Sequence, residues 1–227
     1  AALVLSLAAC ASSQPAAAST ETAETTETTE PAAEESAEAP AESGKTYTVG
    51  VCQLVQHEAL DAATQGFVDA LKEELGDAVT VDVQNASGDS VNCGTIVNGF
   101  VSKGVDLIMA NATPALTAAV SATADIPILG TSITAYGVAL DIDDFNGTVG
   151  GNVSGTSDLA PLDQQAAMIT ELFPDAKNVG IIYCSGEPNS VYQADVVKAA
   201  LEKAGCTVTI YTFADTNDVV SVTGTAS

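Results

Sequence analysis

Two stretches of this chain carry the residue types that a binding site needs: Asn111-Ala112-Thr113-Pro114 and Ser185-Gly186-Glu187-Pro188-Asn189-Ser190. In each, a strand-like run hands over to a helical pattern that opens with Pro, a residue suited to the first helical turn. The unbonded first-turn amides of such a helix attract an anion. Thr113 and the following amides, with Thr131 and Ser132, suit a carboxylate. Glu187 or Asp158 suits an ammonium, and Asn189 and Ser190 close on the same ligand from the second stretch. The chemistry these residue types allow is non-covalent, by hydrogen bonds and charge pairing. Simpler roles stay open beside it: Thr113 as a helix cap and Glu187 as a complement to the helix dipole.

Other chemistries lack their parts. His57 is the only histidine, which gives little acid–base capacity. Gln53 and His57 frame the start of the first helix, and His57 is read either as its cap or as a ligand contact. The Gln53–His57 turn holds no glycine cluster, and no Gly-x-Ser-x-Gly elbow occurs anywhere. Cys52, Cys93, Cys184 and Cys206 are scattered, so no zinc site is expected and no cofactor is implied. Cys52 and Cys184 sit in apolar runs, as small buried thiols do. The chain has 30 Asp and Glu against 6 Lys and no Arg. Eight of the acids fall in residues 11–44, which leaves 22 against 6 in the remainder, a net of −16. Such a surface repels a phosphate backbone, so nucleic acid is not an expected partner.

The elements that must position these residues alternate. Tyr47–Cys52 reads as a strand. Leu60, Ala63, Phe67, Leu71 and Leu75 follow at helical spacing, and Val79–Val83 alternates as a strand. Ile96, Val97, Phe100 and Val101 mark one helix face. Asp106–Ala110 is a continuous apolar run, as in a strand covered on both faces. Thr113 caps the next helix in this reading, with Pro114 at its first position, and 126–129 is the fourth strand. Periodicity fades after Tyr136, and the glycine-rich stretch from Asp141 to Thr156 reads as a loop. Gly147–Asn152 within it is the expected hinge. Alternation then resumes with a helix through Leu159, Leu162, Ala166, Ile169 and Leu172, a strand over 179–183, a helix from Pro188 to Ala204, a strand over 208–213 and a cap at 216–218. The fold class expected is therefore α/β, with two Rossmann-like lobes of parallel strands. The first lobe spans 45–145, the crossover 146–157 and the second lobe 158–227. Only two strands are legible in the second block, so that lobe is expected to be truncated. Ligands in such sheets lie beyond the carboxyl ends of the strands. That singles out Gln53–His57, Asn111–Pro114, Thr131–Thr134 and Ser185–Ser190.

Leu7-Ala8-Ala9-Cys10 closes a stretch, Ala1 to Ala9, that is apolar but for Ser6, and reads as the end of a lipoprotein signal peptide, with Cys10 as the lipid-bearing residue. Residues 10–44 then form an acidic tether, rich in Ala, Thr, Ser, Glu and Pro, with too little apolar area to fold. Its expected reach is about 30 Å or more. The folded part is thus expected outside the cytoplasm, held to the membrane by a lipid anchor.

Several motifs, taken together, resemble the substrate-binding lipoproteins of ABC importers, in the branch associated with tryptophan and tyrosine uptake. They are Val49-Gly-Val-Cys-Gln-Leu-Val-Gln-His57 with Ala59-Leu-Asp-Ala62 and Gly66-Phe67, Asp106-Leu-Ile108 through Ala112-Thr-Pro-Ala115, Asp125-Ile-Pro-Ile128, Gly151-Asn-Val-Ser-Gly-Thr-Ser-Asp158, and Glu187-Pro-Asn-Ser190. The resemblance runs over 46–227. Glu58 stands where that family usually has Pro, and Ala135-Tyr136 where it commonly has Asp and then often Pro. The resemblance implies a class I periplasmic-binding-type fold that closes on an amino acid, aromatic ones favoured, and delivers it to an ABC permease and ATPase. A ligand sensor feeding a membrane receptor is the alternative, and a doubly wound enzyme a more distant one.

Overall fold

The computed structural model describes residues 44–214 and 216–226. Cys10, the signal segment and the tether lie outside the described residues. The α/β expectation holds. The elements are β1 Tyr47–Gln53, α1 Glu58–Leu75, β2 Val79–Asn85, α2 Ser90–Lys103, β3 Leu107–Asn111, α3 Thr113–Ala122, β4 Ile128–Ile133, α4 Tyr136–Ala139, β5 Val153–Ser157, α5 Leu162–Leu172, β6 Asn178–Cys184, α6 Pro188–Lys203, β7 Thr207–Phe213 and α7 Val219–Ala226. Five strands form one parallel sheet in the order β2-β1-β3-β4-β5, and β6 pairs in parallel with β7 in a second sheet. No described helix is long and apolar enough to cross a membrane.

The centre of the first sheet is apolar on both faces. Val49, Val51 and Cys52 of β1 and Ile108, Met109 and Ala110 of β3 are all buried, which is why these strands read as unbroken apolar runs. On one face, helix α2 contributes Cys93, Val97 and Phe100 to a cluster with Cys52, Ile108 and Ala110, and α3 adds Ala115, Leu116 and Ala119. Gly50 lies directly beneath Phe100: a Cβ there would stand 2.6 Å from the ring. Helix α1 ends at Gly76 (φ 55°) and α2 at Gly104 (φ 67°), whose amide bonds back to Phe100 and Val101. Glycine has no Cβ to oppose this left-handed turn.

Three expectations need correction. The fourth strand runs over Ile128–Ile133, not 126–129. Pro127 has no N–H to give a ladder, and the Ile126 amide bonds to Thr123 Oγ1 instead. Thr131 and Ser132 therefore lie inside the strand, where the register slips between Gly130 and Ile133 and Ser132 takes φ 56°. Next, residues 153–157 are not a loop. They form β5, parallel to β4, and the chain leaves the first sheet only after Ser157. This strand has few apolar residues because it packs by backbone proximity: a Cβ on Gly155 (φ 148°) would collide with the Gly130 carbonyl. Lastly, Thr113 is not the cap of α3. Ala112 is, at φ 89° and ψ 157°, and Thr113 is the first helical residue with Pro114 behind it.

Candidate functional site

The parallel register lines up the carboxyl ends of four strands. Asn85 of β2 pairs with Gln53 of β1, Gln53 with Asn111 of β3, and Asn111 with Thr131 of β4. A polar row thus crosses the end of an apolar sheet, the position where parallel α/β proteins bind ligands.

Two members of the row are locked from below. Gln53 Nε2 donates to Asp61 Oδ1 at 2.5 Å and to the Val55 carbonyl at 2.9 Å, and its Oε1 accepts from Thr64 Oγ1 at 2.6 Å. Asn111 Nδ2 donates to Thr64 Oγ1 at 2.9 Å and to the Leu60 carbonyl at 2.8 Å. This buried network clamps the first turns of α1 onto β1 and β3. It fixes Gln53 internally and leaves one Asn111 atom over: Oδ1 is buried without a hydrogen-bond partner. His57 caps α1, its Nδ1 accepting from the Ala59 amide at 3.2 Å, and is exposed.

Thr113 is 2 % exposed, yet its Oγ1 has no hydrogen-bond partner. A buried hydroxyl without a partner costs about 1–3 kcal/mol, so such an atom calls for an explanation. It stands at the start of a helix whose cap, Ala112, has no side chain to satisfy the first-turn amides. Beside it, Thr131 Oγ1 accepts from Thr156 Oγ1 at 3.4 Å. Thr134 is nearly buried, and its carbonyl accepts from Ser157 Oγ at 3.1 Å. The exposed Asp158 follows, its amide bonded to the Ile133 carbonyl.

The second stretch is built in the same way. Glu187 is the N-cap of α6, and its carboxylate accepts from Ser190 Oγ at 3.1 Å. Asn189 Oδ1, one residue beyond Pro188, is again buried without a partner. The structure therefore gathers the predicted residues into two groups. Gln53, Thr113, Thr131, Ser132, Thr134 and Asp158 sit at the end of the first sheet, with His57 at its margin. Glu187, Asn189 and Ser190 sit at the end of β6. No hydrogen bond joins the two groups among the described residues.

Thr64 is the residue that sequence reasoning missed, and Asn111, inside a loop it singled out, was given no role of its own. The signal was present for Asn111, a polar residue ending an apolar strand. Thr64 falls on the buried side of α1, where its hydroxyl is invisible to a hydrophobic pattern. Tyr136, after which the sequence periodicity fades, belongs to the core. It is 6 % exposed, and its hydroxyl donates to the carbonyls of Gly130 at 3.0 Å and Thr156 at 3.2 Å. Burial, with the charge of Asp158 as a second cause, pushes its phenol up to about 12.

A parallel α/β chain with unpaired polar atoms at its strand ends has the build of a solute-binding protein. A leucine-binding protein from Thermotoga maritima shares this fold at 16 % identity, with a TM-score of 0.59 over 79 % of this chain and 53 % of that one. The chain belongs to the ABC transporter substrate binding protein family, whose model matches residues 48–227; the family consists of binding proteins, not enzymes. It is 40 % identical over 160 residues to a tyrosine-binding protein of Clostridioides difficile, covering 68 % of this chain and 45 % of that protein. It is also similar to the crystal structure of an ABC domain in complex with L-Trp from Streptococcus pneumoniae, at 37 % identity and a TM-score of 0.74, over 80 % of this chain and 62 % of that one. A ligand-free, open substrate-binding protein with adhesive properties from Clostridium difficile matches at 36 % identity and a TM-score of 0.55, over 79 % and 62 %. The chain thus spans less than half the length of the curated relative and about three fifths of these two structures.

Proposed function

We propose that this chain captures an amino acid with an aromatic side chain for an ABC importer. The observation that carries the reading is the pair of buried, unpartnered oxygens, Thr113 Oγ1 and Asn189 Oδ1, each at the start of a helix opening with Pro. A hydroxyl and helix amides fit a carboxylate. An amide oxygen beside the Glu187 carboxylate fits an ammonium. The chain holds no Arg, so in this reading a ligand carboxylate is held by amides and hydroxyls, as helix N-termini hold anions. The names of the two related proteins, one tyrosine-binding and one solved with L-Trp, supply the aromatic preference. Gln53 acts by positioning, through Thr64 and Asn111. Thr131, Ser132, Thr134, Asp158 and Ser190 line the approach, and His57 stands at its rim.

In the same reading the protein lies outside the cytoplasm, anchored through lipid on Cys10 by the tether 10–44. It hands its cargo to a permease driven by an ATPase. A thermal-shift screen of the full-length protein against the twenty amino acids tests the capture step. A ligand at 100 times its Kd adds about 2.7 kcal/mol to stability, so tryptophan or tyrosine should raise the melting temperature. A screen in which no amino acid shifts it refutes the proposal. Cys10→Ser should move the protein from the membrane fraction to the medium or periplasm, and retention on the membrane would refute the anchor.

A further inference from the structure

Cys52 and Cys93 face each other in the core. Because Phe100 covers Gly50, α2 lies directly on β1. Two residues farther along that face of β1 comes Cys52. Helix α2 runs back over the sheet, and two turns before Phe100 it presents Cys93. Both side chains have no exposed surface and belong to one apolar cluster with Leu54, Val97 and Phe100. The neighbouring Cys93 thiol and burial raise the pKa of Cys52, while the Cys52 thiol lowers that of Cys93. All four described cysteines are free thiols here.

The other two cannot pair with each other. Cys184 ends β6 opposite Phe213, whereas Cys206 precedes Thr207, which pairs with Asn178 at the far end of that strand. Six residues of strand separate the two ends, about 20 Å, against the roughly 7 Å that a disulfide spans between Cα atoms. Their sulfurs instead approach the carbonyls of Ala214 and Ala176.

We propose that Cys52 and Cys93 are an oxidisable pair that closes into a disulfide, tying β1 to α2 across the 40 residues between them. The oxidant is a small or protein disulfide of the kind an exported chain meets. One cysteine thiolate attacks it and releases the first thiol. The second cysteine then attacks the mixed disulfide and releases the other. The pair loses two protons and two electrons, and the oxidant disulfide becomes two thiols. Because both sulfurs are fully buried, exchange proceeds while α2 is undocked, during folding, and not in the folded reduced protein.

The test uses the full-length chain, refolded from denaturant either with oxidised and reduced glutathione or with excess reductant, then alkylated and digested with trypsin. Cleavage at Lys45, Lys72 and Lys103 puts the two cysteines on separate peptides, 46–72 and 73–103. Oxidative refolding should join them as the main product, two hydrogen masses lighter than their sum, and raise the urea midpoint above that of the reduced protein. The Cys184→Ser, Cys206→Ser chain should give the same joined peptide. Recovery of both peptides singly alkylated from the glutathione buffer, or joined instead to the peptides carrying Cys184 or Cys206, would overturn the proposal. The readout involves no ligand, so its failure leaves the amino-acid reading standing, and the reverse.

Discussion

In the five-stranded sheet, Val51, Cys52, Ile108 and Ala110 have no accessible surface; in the two-stranded sheet, no strand residue is fully buried. The local sequences do not explain this, since Val179–Tyr183 and Val208–Phe213 are as rich in β-branched and aromatic residues as β1. Neighbours do. β1 and β3 each have a strand on both sides, whereas among the described residues β6 and β7 pair only with each other. The buried side chains of the second region come from helices: Leu162 and Ala166 of α5, Ala194 and Leu201 of α6. The first region carries its own core. Among the described residues the second is held by helix packing and one strand pair, an arrangement with fewer buried apolar contacts.

The sharpest test of that contrast is a matched pair of deletions. Phe100→Ala empties the middle of the first core and should cost about 3–5 kcal/mol. Ile181→Ala, in half-buried β6, should cost roughly half of a full burial, about 1–1.5 kcal/mol. Urea titrations that give equal losses would break the comparison. Gly155→Ala comes next. It sets a Cβ against the Gly130 carbonyl at a backbone angle that disfavours any side chain, and should cost about 1–3 kcal/mol. An unchanged melting temperature would show that β5 is not held where it lies.

Tyr136→Phe removes the donor shared by Gly130 and Thr156 and should cost about 1–2 kcal/mol. It also has a pH signature. The folded phenol is raised from 10.0 to about 12, so its contribution is fully present below pH 10 and is lost as pH rises toward 12. The variant should lack that part of the alkaline loss; identical alkaline curves would contradict the assignment. The smallest effect belongs to the Lys103–Asp82 ion pair, 2.6 Å long on the surface beside β2. Lys103 holds the Asp82 carboxyl below its usual range, and the Gln84 amide adds to this. The stability it adds is present above the unfolded carboxylate value and disappears as pH falls through the lower folded one. Exposed pairs contribute under about 1 kcal/mol. Lys103→Met should therefore shift the urea midpoint slightly, and less in high salt.

Much of this arrangement was legible in the residues. Leu60, Ala63, Phe67, Leu71 and Leu75 placed α1, and Asp106–Ala110 placed β3, because burial imposes a period that side chains record. Pro188 marked the start of α6 and Gly205 its end. What stayed hidden was set by backbone contact instead. β5 is Val-Ser-Gly-Thr-Ser, a strand with almost no apolar pattern, held because Gly155 can approach Gly130. The cap at Ala112 depends on a dihedral angle that alanine rarely adopts, so the sequence pointed to Thr113. The four expected ligand loops were picked by position, at strand ends, and two of them also by the Pro in the first turn of the following helix. The polar row could not be, because Asn85, Gln53, Asn111 and Thr131 are brought into line only by register.

Isothermal titration of the full-length protein with L-tryptophan and L-tyrosine, for the natural sequence, Thr113→Val and Asn189→Ala, addresses the ligand assignment directly. Removing an unpartnered hydroxyl should leave Thr113→Val at least as stable as the natural protein. Each lost hydrogen bond to a charged ligand group should weaken binding by about 1.5–3 kcal/mol, roughly 10- to 150-fold. Variants that fold normally and bind as tightly as the natural protein would contradict the account.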